Sequence, residues 1–463
     1  MKKTLLLGAL LGSFAASAQI QFQSYAEYDA IHGEKAALEK QSKYIIQSQD
    51  KRISRPAIPD ILTYRLYKEA EKSGFLKEIT GHAGVSLFVE MGPDKAPQYI
   101  LYKPHVYIRT ENEIRSEELV MTPEQVEEFK SLVLKTFAGI DFEKLAFPES
   151  TFSMGLNFVN ENKKEGDVNT YLKNLPDTTS KINLSGYGLR EVPAEIYRFD
   201  NLKELNLVDN QLEKLPRKLW KIESLERLQV SRNLLTNRSL KIRKNEGLKS
   251  LNVQFNYITK APSKIHRLKG VNQILLGNNT LTDFQKQKFK KAEGIQILNL
   301  YNAGLHDLPA SMNDLTGLQE LDLYYNNLKT LDLDFSQLKN LKTLAVSHNG
   351  LWKLPEELST LNSLEVLYAH HNKLNRLPEL STPIRILDLG YNDFTEVPAY
   401  VANLKTAEQV DFSNCRLERV PSAIGEIPNL KKVFVSNNPV EEDHSEEYNA
   451  FVNALEKRSV TVR

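Results

Sequence analysis

The sequence predicts an α/β solenoid with one long parallel sheet, preceded by a small α+β domain. Three observations predict it. A 23-residue apolar pattern recurs twelve times between Thr179 and Val435, each copy carries an alternating L-x-L core, and the stretch before Thr179 shows no repeat. The clearest copy reads Leu202, Leu205, Leu207, Asn210, Leu212, Leu215, Pro216, Leu219 and Ile222, and the next opens at Leu225. A fixed period of this length means stacked units that bury their apolar faces only against neighbours.

The first 18 residues read as an export leader. Lys2 and Lys3 form a positive start, Leu5 to Leu11 an apolar run, and Ala16-Ser17-Ala18 a cleavage site before Gln19. The apolar run is too short to span a bilayer, and no later run of about 18 apolar residues follows. Gln19 rather than cysteine stands directly after the cleavage site, so no lipoprotein anchor is expected. The expectation is an exported protein of bacterial type, periplasmic or secreted, with no membrane span.

Residues 19–175 form the expected α+β domain. Ala26 to Asp50 reads as polar helix or partly ordered chain, Arg55-Pro56-Ala57-Ile58-Pro59 breaks it, and Ile61 to Ser73 reads as helix. Gly84 to Glu90 alternates like a strand, and Gln98–Tyr102 and Val106–Arg109 read as two more. Thr122, Pro123 and Gln125 supply the N-cap, first-turn proline and capping-box partner of a helix through Leu134. Phe152 to Val159 alternates again. This order, with Gly84-Val85-Ser86-Leu87-Phe88-Val89 and Phe152-Ser153-Met154-Gly155-Leu156-Asn157-Phe158, resembles the C-terminal domain of TonB-type energy transducers. The family's tryptophan-proline-alanine stretch is replaced here by Phe142 to Pro148, and its anchor and proline-rich spacer are absent, so no function is carried over.

The repeats occupy residues 176–439 and open at Thr179, Leu202, Leu225, Leu248, Val271, Ile295, Leu318, Leu341, Leu364, Ile384, Ala407 and Leu430. They resemble leucine-rich repeats of the 23-residue subclass with a Leu-Pro outer segment, found in Ras-pathway scaffolds and bacterial exported proteins. The resemblance implies a horseshoe with a concave parallel sheet. In each unit the L-x-L core makes a short strand with leucines inward, and the Asn that follows satisfies backbone groups in a buried turn. Eleven spacings of about 4.8 Å give an inner arc of roughly 53 Å.

Departures locate the irregular units. Tyr187 and Ala303 replace the Asn, and Cys415, the sole cysteine, occupies the same position. With one cysteine no intrachain disulfide can form, and the thiol is expected to be structural. The repeats from Leu225 and Val271 lack the Leu-Pro segment, and that from Leu364 is cut to 20 residues. Residues 440–463 read as a C-terminal cap, with Asp443 and Glu446 as a capping box and Ser459–Val462 as a last strand.

A scaffold of this kind points to recognition rather than chemistry. The formal net charge is +1, and losing the leader with its two lysines leaves −1, so no global field attracts nucleic acid. No phosphate loop, nucleophile elbow or HExxH motif occurs, so no enzyme is expected. Most outward strand positions are small or polar, such as Asn206 and Ser231. From the sixth repeat to the tenth they change character: Tyr301, Asp322, Tyr324, Tyr325, His348, Tyr368, His370, His371, Asp388 and Tyr391 line up on adjacent strands. Aromatic side chains bring large contact area at low entropy cost, which makes this stretch the expected surface for a protein or peptide partner. The alternatives are a glycan adhesin, its tyrosines stacking on sugars, and an activity in the first domain. Only His348 and His371 share a register, with Asp388 two strands away and His370 projecting differently. Two histidines are too few for zinc or copper, so no metal or cofactor is expected. Paired histidines are expected to make binding pH-sensitive. Lysines and arginines between Arg238 and Lys291 read as a solvated outer face.

Overall fold

A computed structural model describes residues 21–24, 30–31, 66, 69–70, 73, 82–91, 97–109, 114–118, 121–138, 151–159 and 168–463, apart from 263, 381–382, 421 and 443–445. The export leader, the break at Arg55–Pro59 and the capping position of Asp443 lie outside the described residues, as does most of Ala26–Asp50. Leu66, Glu69, Ala70 and Ser73 are helical, as expected. The chain divides into two compact units between Lys163 and Lys164.

The first unit is built on β1 (Gln21–Ser24), β2 (His82–Met91), β3 (Pro97–Arg109), β4 (Ile114–Glu118), helix α1 (Pro123–Ala138) and β5 (Thr151–Val159). The sheet order is β1-β3-β2-β5, with β4 also on β3. Only the β1–β3 pairing is parallel. The two strands expected across Gln98–Arg109 are one continuous strand. On one side, β1 pairs with Tyr99–Tyr102 and β4 with His105–Arg109. Pro104 falls in the gap between them, so its missing N–H breaks no ladder on that side. The capping box forms as read: Thr122 N donates to Gln125 Oε1 (3.0 Å) and Gln125 N to Thr122 Oγ1 (3.3 Å). Phe129 and Val133 of α1 are fully buried, as are Val89, Ile100 and Leu101 of the sheet.

The second unit opens with α2 (Val168–Lys173), slightly ahead of the expected boundary at 175/176. Leu172 enters the array's core, and Arg198 Nη2 donates to Leu172 O (2.7 Å) and Leu175 O (2.6 Å). Twelve three-residue strands follow, one for each repeat: β6 (Lys181–Asn183), β7 (Glu204–Asn206), β8 (Arg227–Gln229), β9 (Ser250–Asn252), β10 (Gln273–Leu275), β11 (Ile297–Asn299), β12 (Glu320–Asp322), β13 (Thr343–Ala345), β14 (Val366–Tyr368), β15 (Ile386–Asp388), β16 (Gln409–Asp411) and β17 (Lys432–Phe434). All pair in parallel and in register, so Leu321, Leu344, Leu367 and Leu387 stand side by side in one core. The middle residue of each strand is buried and its neighbours face away from the core.

The outer side carries short 3-10 turns, five of them opening directly after the proline of a Val-Pro or Leu-Pro pair, as at Arg217–Lys221 after Pro216 and Glu356–Thr360 after Pro355. Among the described residues the repeats from Leu225 and Leu364 have none, as their sequences suggested. The repeat from Val271 differs from expectation: Phe284–Lys286 makes a turn without any Leu-Pro, because Phe284 and Phe289 fill the outer core edge to face, 5.9 Å apart. The basic residues of this region, among them Lys241, Arg243, Lys264 and Lys288, are solvent-exposed. At the far end α3 (Pro439–Glu442) and α4 (Glu446–Lys457) bury Phe451 and Leu455. The final strand β18 (Thr461–Val462) pairs with β17, which covers the last open edge.

Buried asparagines join each repeat to the one before it. Asn210 Nδ2 donates to Leu184 O of the preceding unit and to Leu207 O of its own, while its Oδ1 accepts from Leu189 N. The same pattern recurs at Asn233, Asn256, Asn279, Asn326, Asn349, Asn372, Asn392 and Asn438. At two of the three substituted sites, Ala303 and Cys415, the neighbouring asparagine takes the extra load. Asn326 Oδ1 accepts from both Ala303 N (3.1 Å) and Leu305 N (3.0 Å), and Asn438 Oδ1 accepts from Cys415 N and Leu417 N. The Cys415 thiol itself stands in for the amide, 3.5 Å from Leu389 O.

Asn326→Ala would remove five hydrogen bonds and leave Ala303 N, Leu305 N and Leu300 O without their partner. Asn349→Ala would remove four and leave Leu328 N so, since its three carbonyls keep other donors. The first should lose roughly 3–5 kcal/mol in urea unfolding, the second measurably less; equal losses would contradict the shared load. Burial pushes the Cys415 thiol up to about 11. Maleimide should therefore leave it unmodified in the native protein at pH 8 and label it fully in denaturant.

Candidate functional site

The site follows from what the backbone does after each strand. The second core leucine is followed by an outward residue, then by a residue in the left-handed region, then by the buried Asn. The left-handed residues include Asn302 (φ 47°), Tyr325 (56°), His348 (51°), His371 (53°), Tyr391 (56°) and Asn414 (52°). Gly186 and Asp209 fill this position in the first two repeats without a bulky side chain. A tyrosine or histidine there is strained, by about 1 kcal/mol or more. The adjoining Asn bonds hold it in place. In extended chain, consecutive side chains point to opposite faces. The left-handed step instead brings the side chain round beside that of the residue before it.

Three parallel rows result. The first lies at the strand ends: Asn299, Asp322, Ala345, Tyr368, Asp388 and Asp411, in register across neighbouring strands. The second consists of Tyr301, Tyr324, Ser347, His370 and Gly390, and the third of Tyr325, His348, His371 and Tyr391. In the third row the rings stack as a continuous ladder. Tyr325–His348 centroids are 4.2 Å apart at 17°, His348–His371 4.0 Å at 16°, and His371–Tyr391 3.9 Å at 18°. In the second row Tyr301 and Tyr324 lie parallel at 5.8 Å. Tyr324 then reaches across the small Ser347 so that its hydroxyl meets His370 Nε2 at 3.1 Å. Ser347 is fully buried and its Oγ has no hydrogen-bond partner.

Nine of the ten residues singled out from sequence thus join one cluster, and Tyr368 lies on its edge without a ring contact. Most of the tyrosines and all three histidines divide between two rows beyond the strands, with His348 and His371 at equivalent positions. His370 projects from a different row than His371, as expected, yet the two rings converge. Their Nδ1 atoms lie 2.8 Å apart, and a ring nitrogen from each of His348, His370 and His371 falls within 4.8 Å of the others. Sequence reasoning missed Ser347, Asn299 and Asp411. Asn299 Nδ2 donates to Asp322 Oδ2 at 2.6 Å, and Asp411 Oδ1 accepts from Ser413 N and Oγ. Asp411 was legible, because it repeats the register of Asp388 one unit later.

Burial dominates the electrostatics. It raises the Asp388 carboxyl to about 7, helped by repulsion from Asp411, and it raises Asp322 and Asp411 as well. It lowers His370 to about 4, with His348 adding to the effect. His370 Nε2 and Asp388 Oδ2 are 4.0 Å apart, too far for a direct hydrogen bond, so their attraction does not overcome the loss of water. Both are neutral near pH 6. At this point of the cluster the group that burial brings toward neutrality is the Asp388 carboxyl. A separate hollow of about 360 Å³ beside Glu365, Arg385, Glu408 and Lys431 lies away from the rings, and its charges pair with one another.

Residues 317–374, the centre of this region, match the leucine rich repeat family. No curated protein matches the chain. Among solved structures, the chain is similar to a leucine-rich repeat protein of Leptospira interrogans, at 20% identity and a TM-score of 0.42, over 64% of this chain and 98% of that one. It is similar to an internalin from Listeria monocytogenes at 18% identity and a TM-score of 0.47, over 63% and 92% of the two chains. A third similarity is to YopM from Yersinia enterocolitica, at 21% identity and a TM-score of 0.38, over 56% and 61%.

The folded chain holds a proton on Asp388 that the unfolded chain releases between about pH 4 and 7. Stability should therefore fall as pH rises through that window. Asp388→Asn should flatten the fall, adding up to about 4 kcal/mol at pH 8 and almost nothing near pH 4. Urea midpoints at pH 4, 6 and 8 measure it, and an unchanged slope in the variant would assign the proton to another group.

Proposed function

We propose that this leucine-rich repeat protein is an exported, non-enzymatic adaptor that holds a protein or peptide partner on the tyrosine–histidine face of its sheet. The observation that carries the reading is the continuity of the rings. Tyr301, Tyr324, Tyr325, His348, His370, His371 and Tyr391 touch one another in one unbroken patch. Rings already locked by stacking lose little entropy when a partner docks, which is the property of an interface anchor. The carboxyl row beside them favours a partner that presents hydrogen-bond donors.

The chemistry supports binding over catalysis. Ser347 Oγ makes no hydrogen bond to a ring nitrogen, so the serine beside the histidines has no base to activate it. The cysteine is buried in the repeat core. Among the described residues no helix is long and apolar enough to cross a membrane. Glycan adhesion is less well supported. The third-row rings lie 3.9–4.2 Å apart face to face, so most faces that would stack on sugars are already covered.

Removing Tyr324 and Tyr325 together, each to Ala, should weaken capture of a protein partner from the native envelope fraction by at least about 2 kcal/mol, roughly thirtyfold. Crosslinked pull-down followed by titration of the recovered protein checks it. Wild-type affinity in a variant that unfolds at its normal temperature would move the interface elsewhere, and selective loss of binding on a glycan array would favour the adhesin.

A further inference from the structure

The three converging histidines have a geometry that partner recognition alone does not require. We infer that His348, His370 and His371 form a binding site for one zinc-class divalent transition ion, held by three imidazoles with a fourth position open. The inference does not rest on the adaptor reading.

Convergence is the first argument. One nitrogen from each ring lies within 4.8 Å of the other two. Zinc–nitrogen bonds of 2.0–2.1 Å in a tetrahedron place ligand nitrogens about 3.3 Å apart. The site therefore needs to close by about 1.5 Å at most, within the reach of rotation about the side-chain bonds. His348 and His371 are stacked nearly parallel with centroids 4.0 Å apart, so one of them swings out of the stack to share an ion with the other, while His370 stands edge-on to both, at 86° and 76°. Three rings packed only for apolar contact have no reason to turn their nitrogens inward. Here His370 Nδ1 and His371 Nδ1 share a hydrogen bond at 2.8 Å, one donating and the other accepting, so the donor ring changes tautomer when both nitrogens turn to an ion.

The surroundings supply the remaining parts of a metal site. A ligating imidazole usually directs its other nitrogen to a carboxylate or hydroxyl, which fixes its tautomer and orientation. His370 Nε2 faces the Tyr324 hydroxyl at 3.1 Å and Asp388 Oδ2 at 4.0 Å. The backbone at His348 and His371 is pinned by Asn349 and Asn372, whose side chains bond two successive repeats. All three histidines are half-buried, so an ion has a route in and one coordination position remains for water. An all-nitrogen set selects zinc, copper(II) or nickel over magnesium or calcium, which prefer oxygen ligands.

The test uses the full chain, stripped with chelator and dialysed, at pH 7.5. Titration calorimetry with Zn²⁺ should show one ion per chain. His348→Asn and His371→Asn should each weaken binding at least a hundredfold, and Asp388→Asn about tenfold, as expected for a group that acts through His370. His306→Asn and His266→Asn, both on exposed positions, should leave it unchanged. Co²⁺ in the wild-type protein should give the intense visible bands of a four-coordinate site, which requires no variant to fold. Two results would overturn the site: undiminished one-to-one binding in His371→Asn, or Co²⁺ showing only the weak spectrum of its hydrated ion.

Discussion

The buried asparagine after each strand is the constraint on which the rest of the array depends. Its amide bonds carbonyls of two successive repeats, so it sets the register between them at the same time as it closes the turn. Closing the turn requires the preceding residue to adopt a left-handed backbone. That residue is Gly186 and Asp209 in the first two repeats, Arg232 and Phe255 in the next two, an asparagine at Asn278, Asn302, Asn414 and Asn437, and Tyr or His in the region that carries the ring ladder. The scaffold's own hydrogen bonding thus produces the surface. Where the Asn is missing, at Ala303 and Cys415, the next repeat supplies the acceptor, and the row of left-handed residues continues through Asn302 and Asn414 without a break.

Packing on this lattice explains why the aromatic side chains form a ladder. Equivalent positions of adjacent parallel strands are separated by about 4.8 Å. Flat rings placed at that interval settle slightly tilted and come to 3.9–4.2 Å. The second row is spaced less evenly, because Ser347 and Gly390 interrupt it. The gap at Ser347 lets Tyr324 reach His370, and a Cβ at Gly390 would meet Asp411 Oδ1 at 2.9 Å. Small residues therefore matter in this face as much as large ones. The carboxyls share its burial, and their raised affinity for protons reflects it.

The two units differ in how directly their sequences can be read. In the array a leucine misassigned by one position would contradict eleven neighbours, so the twelve strands fall where the spacing places them. The first unit has no such redundancy. Its capping box was legible because Thr122 and Gln125 act within one turn of helix. The continuity of β3 across Pro104 was not, since it depends on where β1 and β4 end on the same side. The turn at Phe284 was missed for a similar reason: apolar filling from Phe289 replaces the missing Leu-Pro signal.

By itself the sequence determined the solenoid, its strand register and the stretch of repeats that carries the tyrosines, histidines and aspartates. Those features depend on periodicity, and periodicity is a property of the chain. Only the tertiary structure decided that the rings divide into two rows, that His370 turns toward His371, and that burial pushes the Asp388 carboxyl up toward neutrality. These depend on a single left-handed dihedral repeated in every unit and on the water excluded when the rows close over one another, neither of which is written in the identity of any one residue.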